Sequence, residues 1–266
     1  MTERTELVDL WNKYHPNEKI GIVAAPAPAP APKPVPKPAP KPPAPKPAPR
    51  PAHTFGIDIS GYNNPNLAIL KPHGVQYVWS QVTDGRGFAD GNFRTNWEAS
   101  RRYGIAFGAY HFLRSTSSVS DQADNVARHI VDKRIPISID CEPTQGSRPN
   151  LGTVRAFIAA LHARDLRVGL LYLPHWYWVA LGRPSLKGLP PLWQSSYGRN
   201  SVGSPANVYA QAGGDRSAAG WTQQGGIVPS VFQFGSEIRI PGYAGALDAD
   251  VYRGPVSELI HRGILI

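Results

Sequence analysis

Two acidic residues one position apart, Asp140 and Glu142, lie in the run Ile135-Pro136-Ile137-Ser138-Ile139-Asp140-Cys141-Glu142-Pro143, and their types and spacing suit acid–base chemistry. The run reads as a short buried strand that Pro143 ends, so both side chains leave the same face at the strand's carboxyl end. Carboxylates this close do not ionise independently. Each raises the other's proton affinity, and one can hold a proton near neutral pH as a general acid. Cleavage of a glycosidic bond needs such an acid. The same spacing also suits an Asp and a Glu that cap the following helix or pair with nearby arginines, so the rest of the chain must decide between the two.

Acids that act together need a scaffold that gathers distant segments. From residue 55 onward strand-like and helix-like runs alternate, which favours a parallel sheet wrapped by helices. Strands are expected at 55–60, 75–82, 105–112, 135–140 and 166–173, with helices at 93–102, 120–134 and 151–164. In the last helix Leu151, Val154, Phe157, Ile158 and Leu161 share one side. Helical signals then fade, and 192–197, 231–236 and 247–252 read as three further strands with Gly-rich connections. The expected fold class is α/β, an irregular TIM-like (β/α)5(β)3 barrel over residues 53–266, long enough to bury its own core. Such barrels keep their chemistry at the carboxyl ends of the strands. Asp58 ends the first strand in Gly56-Ile57-Asp58-Ile59-Ser60, Asp140 and Glu142 end the fourth, and Asp248 lies in the last, in Gly245-Ala246-Leu247-Asp248-Ala249-Asp250-Val251-Tyr252. Tyr110, Trp193, Tyr197 and Gln233 fall at other strand ends. They are candidates for holding a sugar by ring stacking and fixed polar contacts.

Ahead of the barrel, residues 24–52 are nearly pure Pro, Ala and Lys and hold half of the chain's 28 prolines. Repeated proline forms neither a helix nor a sheet ladder, so a disordered, extended linker spanning roughly 80 Å is expected there. Residues 1–23 carry Leu7, Leu10 and Trp11 at helical spacing and read as a short N-terminal helical segment without a core of its own. Neither a secretory signal nor the roughly 20 apolar residues of a membrane span is found, which points to synthesis in a cytoplasm. The net charge is +9, of which Lys33, Lys37, Lys41, Lys46 and Arg50 supply +5. The other basic residues are scattered and no nucleic-acid recognition motif accompanies them, so attraction to a polyanionic surface such as a bacterial cell wall fits better than nucleic acid. Cys141 alternates away from the two acids towards the helix layer and reads as an apolar filler. His111 alternates away from Tyr110 in the same manner and reads as a satisfied core histidine, while Trp176 and Trp178 read as core packing with a role in lining the cleft as the alternative. The stretch 198–229, which contains Tyr209 and Trp221, is either a substrate-lining loop or a surface excursion.

Together these segments resemble glycoside hydrolase family 25, the Chalaropsis-type lysozymes. The resemblance rests on ordered motifs over most of residues 55–266: Gly-x-Asp-x-Ser at Asp58, Val-Thr-Asp-Gly at Asp84, Gly-Ala-Tyr-His-Phe at Tyr110, Asp-x-Glu at Asp140 and Glu142, Leu-Trp-x-x-x-Tyr at Trp193 and Tyr197, and Leu-Asp-x-Asp-Val-Tyr at Asp248. It implies an N-acetylmuramidase that cuts the β-1,4 bond between N-acetylmuramic acid and N-acetylglucosamine in bacterial peptidoglycan, with no metal and no cofactor. By motif match Glu142 would be the general acid and then the base. Asp140 would position the substrate's acetamido group or stabilise positive charge at the anomeric carbon, and Asp58 and Asp248 would hold the geometry and raise the acid's pKa. A phage-type endolysin would be made in the host cytoplasm and act at the cell wall, with holin-dependent access. The alternative is a virion-associated or wall-associated glycan-binding protein that carries the barrel on its stalk, with a phage-particle partner at the N-terminal segment.

Overall fold

Buried runs rich in β-branched and aromatic residues alternate with amphipathic helices, and that alternation folds as the periodicity dictates. The computed structural model describes residues 53–266; the helix expected at 1–23 and the linker at 24–52 lie outside the described residues. The strands are β1 (Thr54–Ile59), β2 (Val75–Asp84), β3 (Phe88–Ala89), β4 (Ala106–Phe112), β5 (Ile137–Asp140), β6 (Val168–Tyr172), β7 (Leu192–Ser195), β8 (Val231–Ile238) and β9 (Leu247–Tyr252). All but the small hairpin strand β3 form a closed eight-stranded barrel in the order β1, β2, β4 to β9, with β9 returning to β1. Neighbours from β1 to β8 run parallel, whereas β9 is antiparallel to both β8 and β1. The reason is the connection: residues 239–246 contain no helix, and a short link can only return the chain antiparallel.

Three helices, α1 (Phe93–Tyr103), α2 (Val119–His129) and α3 (Leu151–His162), cover the outside of the parallel half. Local chemistry sets their ends. Ser118 accepts from the backbone N–H groups of Ser120 and Asp121, Asn150 and Thr153 form a reciprocal capping box, and Gly104 stops α1 in the left-handed conformation at φ 64. Helix α2 is shorter than the 120–134 expected. Ile130 takes an extended conformation, and the Asp132 carboxylate then accepts from the Arg134 backbone at 2.9 Å and guanidinium at 2.7 Å, turning the chain towards β5. Short helices do persist after the fifth barrel strand: α4 (His175–Ala180), α5 (Pro205–Gln211), α6 (Ala218–Trp221) and α7 (Val256–His261). Within the stretch 198–229, Tyr209 and Trp221 are buried against Phe234 and Phe232 on the outer face of β8, with ring centroids 5.3 and 5.6 Å apart. That stretch is a cover for the barrel wall.

Alternation along each strand separates two cores. Outward residues such as Ile57, Val78, Phe107, Ile139 and Phe232 pack under the helices, with Cys141 among them. Inward residues Tyr77, Trp79, Leu170, Tyr172, Trp193 and Tyr252 fill the barrel, which Leu259, Ile264 and Leu265 close from the amino-terminal end. The aromatic filling requires glycine opposite it. A Cβ on Gly56 would lie 1.8 Å from the Tyr77 ring, and one on Gly108 would lie 2.5 Å from Trp79. Asp58 and Tyr110 stand two residues further on, so the same alternation turns them into the barrel mouth. His111, between inward positions, is fully buried on the outer face, its ring nitrogens 2.7 Å from Thr83 Oγ1 and 3.2 Å from Gln122 Oε1. Burial pushes its pKa down to about 4, so it is a neutral core histidine.

Candidate active site

Interior positions change character along the barrel axis, from apolar rings at the closed end to carboxylates at the open end. The mouth holds a cavity of about 330 Å³, and all eight residues singled out from the sequence line it: Asp58, Tyr110, Asp140, Glu142, Trp193, Tyr197, Gln233 and Asp248. One geometric expectation needs correction. Asp248 stands at the amino end of its strand, but β9 runs antiparallel to its neighbours, so its amino end lies at the mouth where the parallel strands finish. In that ladder Asp58 faces Asp248 directly, and Gly56 faces Asp250.

Each side chain has an identifiable restraint. Gln233 donates from Nε2 to Asp58 Oδ2 at 2.6 Å, and its amide oxygen accepts from the hydroxyls of Tyr172 at 2.8 Å and Tyr197 at 2.7 Å. Two phenols and one carboxylate thus fix the amide's orientation. Asn63, whose oxygen accepts from the Ser60 backbone at 2.8 Å, donates to Asp248 Oδ2 at 3.2 Å. Trp193 forms the floor: it is 2% exposed, packed between Trp79 and Tyr172, and its indole N–H donates to Asp250 Oδ1 at 2.7 Å. It therefore presents a donor to Asp250 instead of an open ring to a sugar. Asp140 Oδ1 is buried with no hydrogen-bond partner among the described residues.

Arg114 is the cation of the mouth, and sequence reasoning missed it. Its guanidinium grips both oxygens of Asp84, with Nε 2.5 Å from Oδ1, donates to Thr144 Oγ1, and lies over the Phe112 ring at 4.4 Å. Nothing in the sequence sets it apart from other arginines, because its role depends on β2 and β4 ending side by side. Tyr172 and Asp250 were also missed. Alternation could have found both: Asp250 is two residues from Asp248 on the same face, and Tyr172 stands beside Asp140 in the β5–β6 register.

Asp58, Asp140, Glu142, Asp248 and Asp250 create a strongly acid-retaining site, beside an arginine that a sixth carboxylate, Asp84, already holds. Burial is the largest cause of every shift among the five, ahead of mutual repulsion. Glu142 is pushed up to about 7, first by burial and then by Asp248, with Arg114 opposing. Asp248 rises to about 6 through burial, against the hydrogen bond from Asn63. Asp58, Asp140 and Asp250 are also held well above the usual carboxylate range by burial, and their carboxylate neighbours add to it. Near neutral pH Glu142 can therefore give or take a proton at an open cavity. Trp178 is buried, its indole donating to the Pro184 carbonyl at 2.9 Å, whereas Trp176 is not core: 57% of it is exposed. Among the described residues no group of three or more His, Cys, Asp or Glu is arranged to hold a metal ion, and no helix is long and apolar enough to cross a membrane.

Comparison with known proteins places this geometry. The chain is 24% identical over 222 residues to the autolytic lysozyme of Clostridium acetobutylicum, an alignment covering 79% of this chain and 66% of that protein, just under two thirds of its length. Among solved structures, the bacterial lysozyme of Streptomyces coelicolor superposes with a TM-score of 0.62 at 22% identity, over 79% of this chain and 97% of that one. The catalytic domain of endolysin ply40 from bacteriophage P40 of Listeria monocytogenes superposes with a TM-score of 0.57 at 18% identity, over 80% and 98%. These similarities share the barrel, and the sequence profile of Glycosyl hydrolases family 25 matches residues 57–243, more than half of the chain and the part that carries every acid but Asp248 and Asp250. The chain belongs to glycosyl hydrolase family 25.

Proposed function

We propose that this protein is a peptidoglycan hydrolase, a lysozyme that cuts the β-1,4 bond between N-acetylmuramic acid and N-acetylglucosamine. The observation that carries this reading is the meeting of Glu142 and Asp140, from the end of β5, with Asp58 and Asp248 in one open cavity. Glu142 gives its proton to the bridging oxygen as the C–O bond breaks, then takes one from the water that attacks the anomeric carbon. Asp140, which lines the cavity beside Glu142, accepts from the acetamido N–H and so steadies the positive charge that develops at that carbon. A hydrogen bond to the charged form lowers a carboxyl's pKa, so substrate itself would help Asp140 ionise. Gln233, Tyr172 and Tyr197 fix Asp58, which lines the wall opposite. Reducing-end release from purified peptidoglycan, with mass spectrometry of the products, tests the reading. Wild type should leave muramic acid at the new reducing end, and Glu142→Gln should lower kcat by about 10³-fold, the scale of a lost general acid. Equal rates for the two proteins would remove Glu142 from the mechanism.

The finer part of the proposal is a phage-type endolysin, made in a host cytoplasm and used for host lysis. The acid constellation, which a protein that only grips glycan does not need, favours cleavage over binding. The binding alternative, a barrel carried on a particle, predicts copurification with particles and glycan binding without cleavage. Expression inside a bacterium, with and without a pore-forming partner, distinguishes them: lysis only when the inner membrane is opened supports the endolysin.

A further inference from the structure

A second recess of about 450 Å³ opens at the same end of the barrel, and Pro143, Thr144, Gln145, Arg148, Trp176 and Tyr177 are among its walls. One wall is the loop that leaves β5 directly after Glu142; the other is α4, which follows β6. The recess thus neighbours the acidic mouth, with Pro143 of its wall directly following Glu142 of the mouth. Its most telling component is Trp176, a large apolar ring left 57% exposed. What sets it apart from other exposed rings is its place on the wall of a recess beside the acids.

Neither wall is loose. Tyr177, 4% exposed, packs its ring 5.6 Å from that of Trp176 and donates its hydroxyl to the Pro149 carbonyl at 2.6 Å. Thr144 and Ser147 exchange backbone hydrogen bonds of 2.9 and 3.1 Å, with Gly146 at φ 79 inside the turn. Ser147 Oγ accepts from the Ser115 backbone at 2.9 Å, and the Arg148 backbone donates to Ser115 Oγ at 2.8 Å. Arg114 joins this shelf to the acid site by holding Thr144 and Asp84 at once. Arg148 itself is exposed, and no carboxylate pairs with it among the described residues.

We propose that this recess extends the substrate cleft: Trp176 stacks on a sugar ring beyond the cleaved bond, and Arg148 pairs with a free carboxylate of the peptide stem carried by a muramyl residue. The inference rests on the muramidase reading and adds a substrate preference to it. For a peptide carboxylate the arginine of the mouth is not free, since Asp84 already engages it. Arg148 offers that anion a place outside the acid cluster. A neutral amino-sugar polymer gains from the Trp176 platform alone, so Arg148 should favour glycan that bears peptide.

The test compares kcat/KM on glycan strands whose stems carry free carboxylates and on the same strands with those carboxylates amidated. Trp176→Ala should lose about five- to tenfold on both, the scale of one aromatic stack, and Trp176→Phe should recover most of it. Arg148→Gln should reduce the preference for free-carboxylate over amidated strands by about two- to fivefold, and added salt should erase the difference. Both side chains are exposed, so thermal midpoints should match wild type. Trp176→Ala at the wild-type rate, or Arg148→Gln with an unchanged preference, overturns the assignment while leaving the muramidase reading intact. A wild type that cuts neither polymer sinks both.

Discussion

Replacing Asp248 by Asn removes one charge from the mouth while leaving its volume and the hydrogen bond from Asn63 almost unchanged, which makes it a sharp probe of how Glu142 keeps its proton. Glu142 rises from an ordinary 4.5 to about 7. That is on the order of 3 kcal/mol of preference for the protonated form. At pH 6 a group at 7 is about 90% protonated and one at 4.5 about 3%, a factor of about thirty in available acid. Burial is the larger cause and Asp248 the next, so Asp248 accounts for less than half of the effect, on the order of 1 kcal/mol. In Asp248→Asn the basic limb of kcat/KM should move from about pH 7 to between about 6 and 6.5. Initial rates of reducing-end release from pH 4.5 to 9 at fixed ionic strength give the limb directly. Its position is independent of any loss in maximum rate. A limb that stays at 7, or moves to higher pH, refutes the electrostatic coupling of Asp248 to Glu142.

Arg114→Gln carries the opposite sign. Arg114 lowers the pKa of both Asp140 and Glu142, so its loss should move the basic limb to higher pH by up to about one unit, together with a drop in rate from the released Asp84 and Thr144; an acid shift would contradict this. His111 sets stability on the acid side. Its folded pKa of about 4 lies below the ordinary 6.5, so its contribution is present above 6.5 and on the order of 3 kcal/mol of it is lost as the pH falls to 4. Glu142 and Asp248, with raised folded values, act the other way: their contribution is lost as the pH rises from the ordinary 4.5 and 3.8 through about 7 and 6. The two windows overlap and oppose each other from about pH 4 to 6.5, so urea midpoints should fall as the pH rises past 6.5, and His111→Gln should steepen the fall between 4 and 6.5. Gly56→Ala forces a methyl into the fully buried Tyr77 ring and should cost about 1–3 kcal/mol or more in urea unfolding; a neutral result would refute tight packing of the barrel interior.

How much of this was readable from the chain follows from the range of the forces involved. Alternation is a local property of an extended backbone, so a period of two was enough to put Asp58, Tyr110, Asp140 and Gln233 inward and Cys141 and His111 outward. The need for glycine at 56 and 108 is not local, because the rings that leave no room for a Cβ, Tyr77 and Trp79, come from β2. Element ends were less legible. The early stop of α2 depends on Asp132 folding back onto Arg134, and the helices within 198–229 form only because Tyr209 and Trp221 find Phe234 and Phe232 to cover.

The sequence by itself determined which residues could do chemistry and which strand carries each, since both follow from side-chain type and near-neighbour geometry. Only closure of the barrel decided that Asp248 enters from the amino end of an antiparallel strand, that Arg114 is the counter-charge, and that Trp176 stands in solvent beside the acids while Trp178 is buried. Closure also made burial, more than repulsion between adjacent acids, the leading reason that Glu142 keeps its proton. Desolvation depends on everything that surrounds a group in space, and no run of neighbouring residues encodes it.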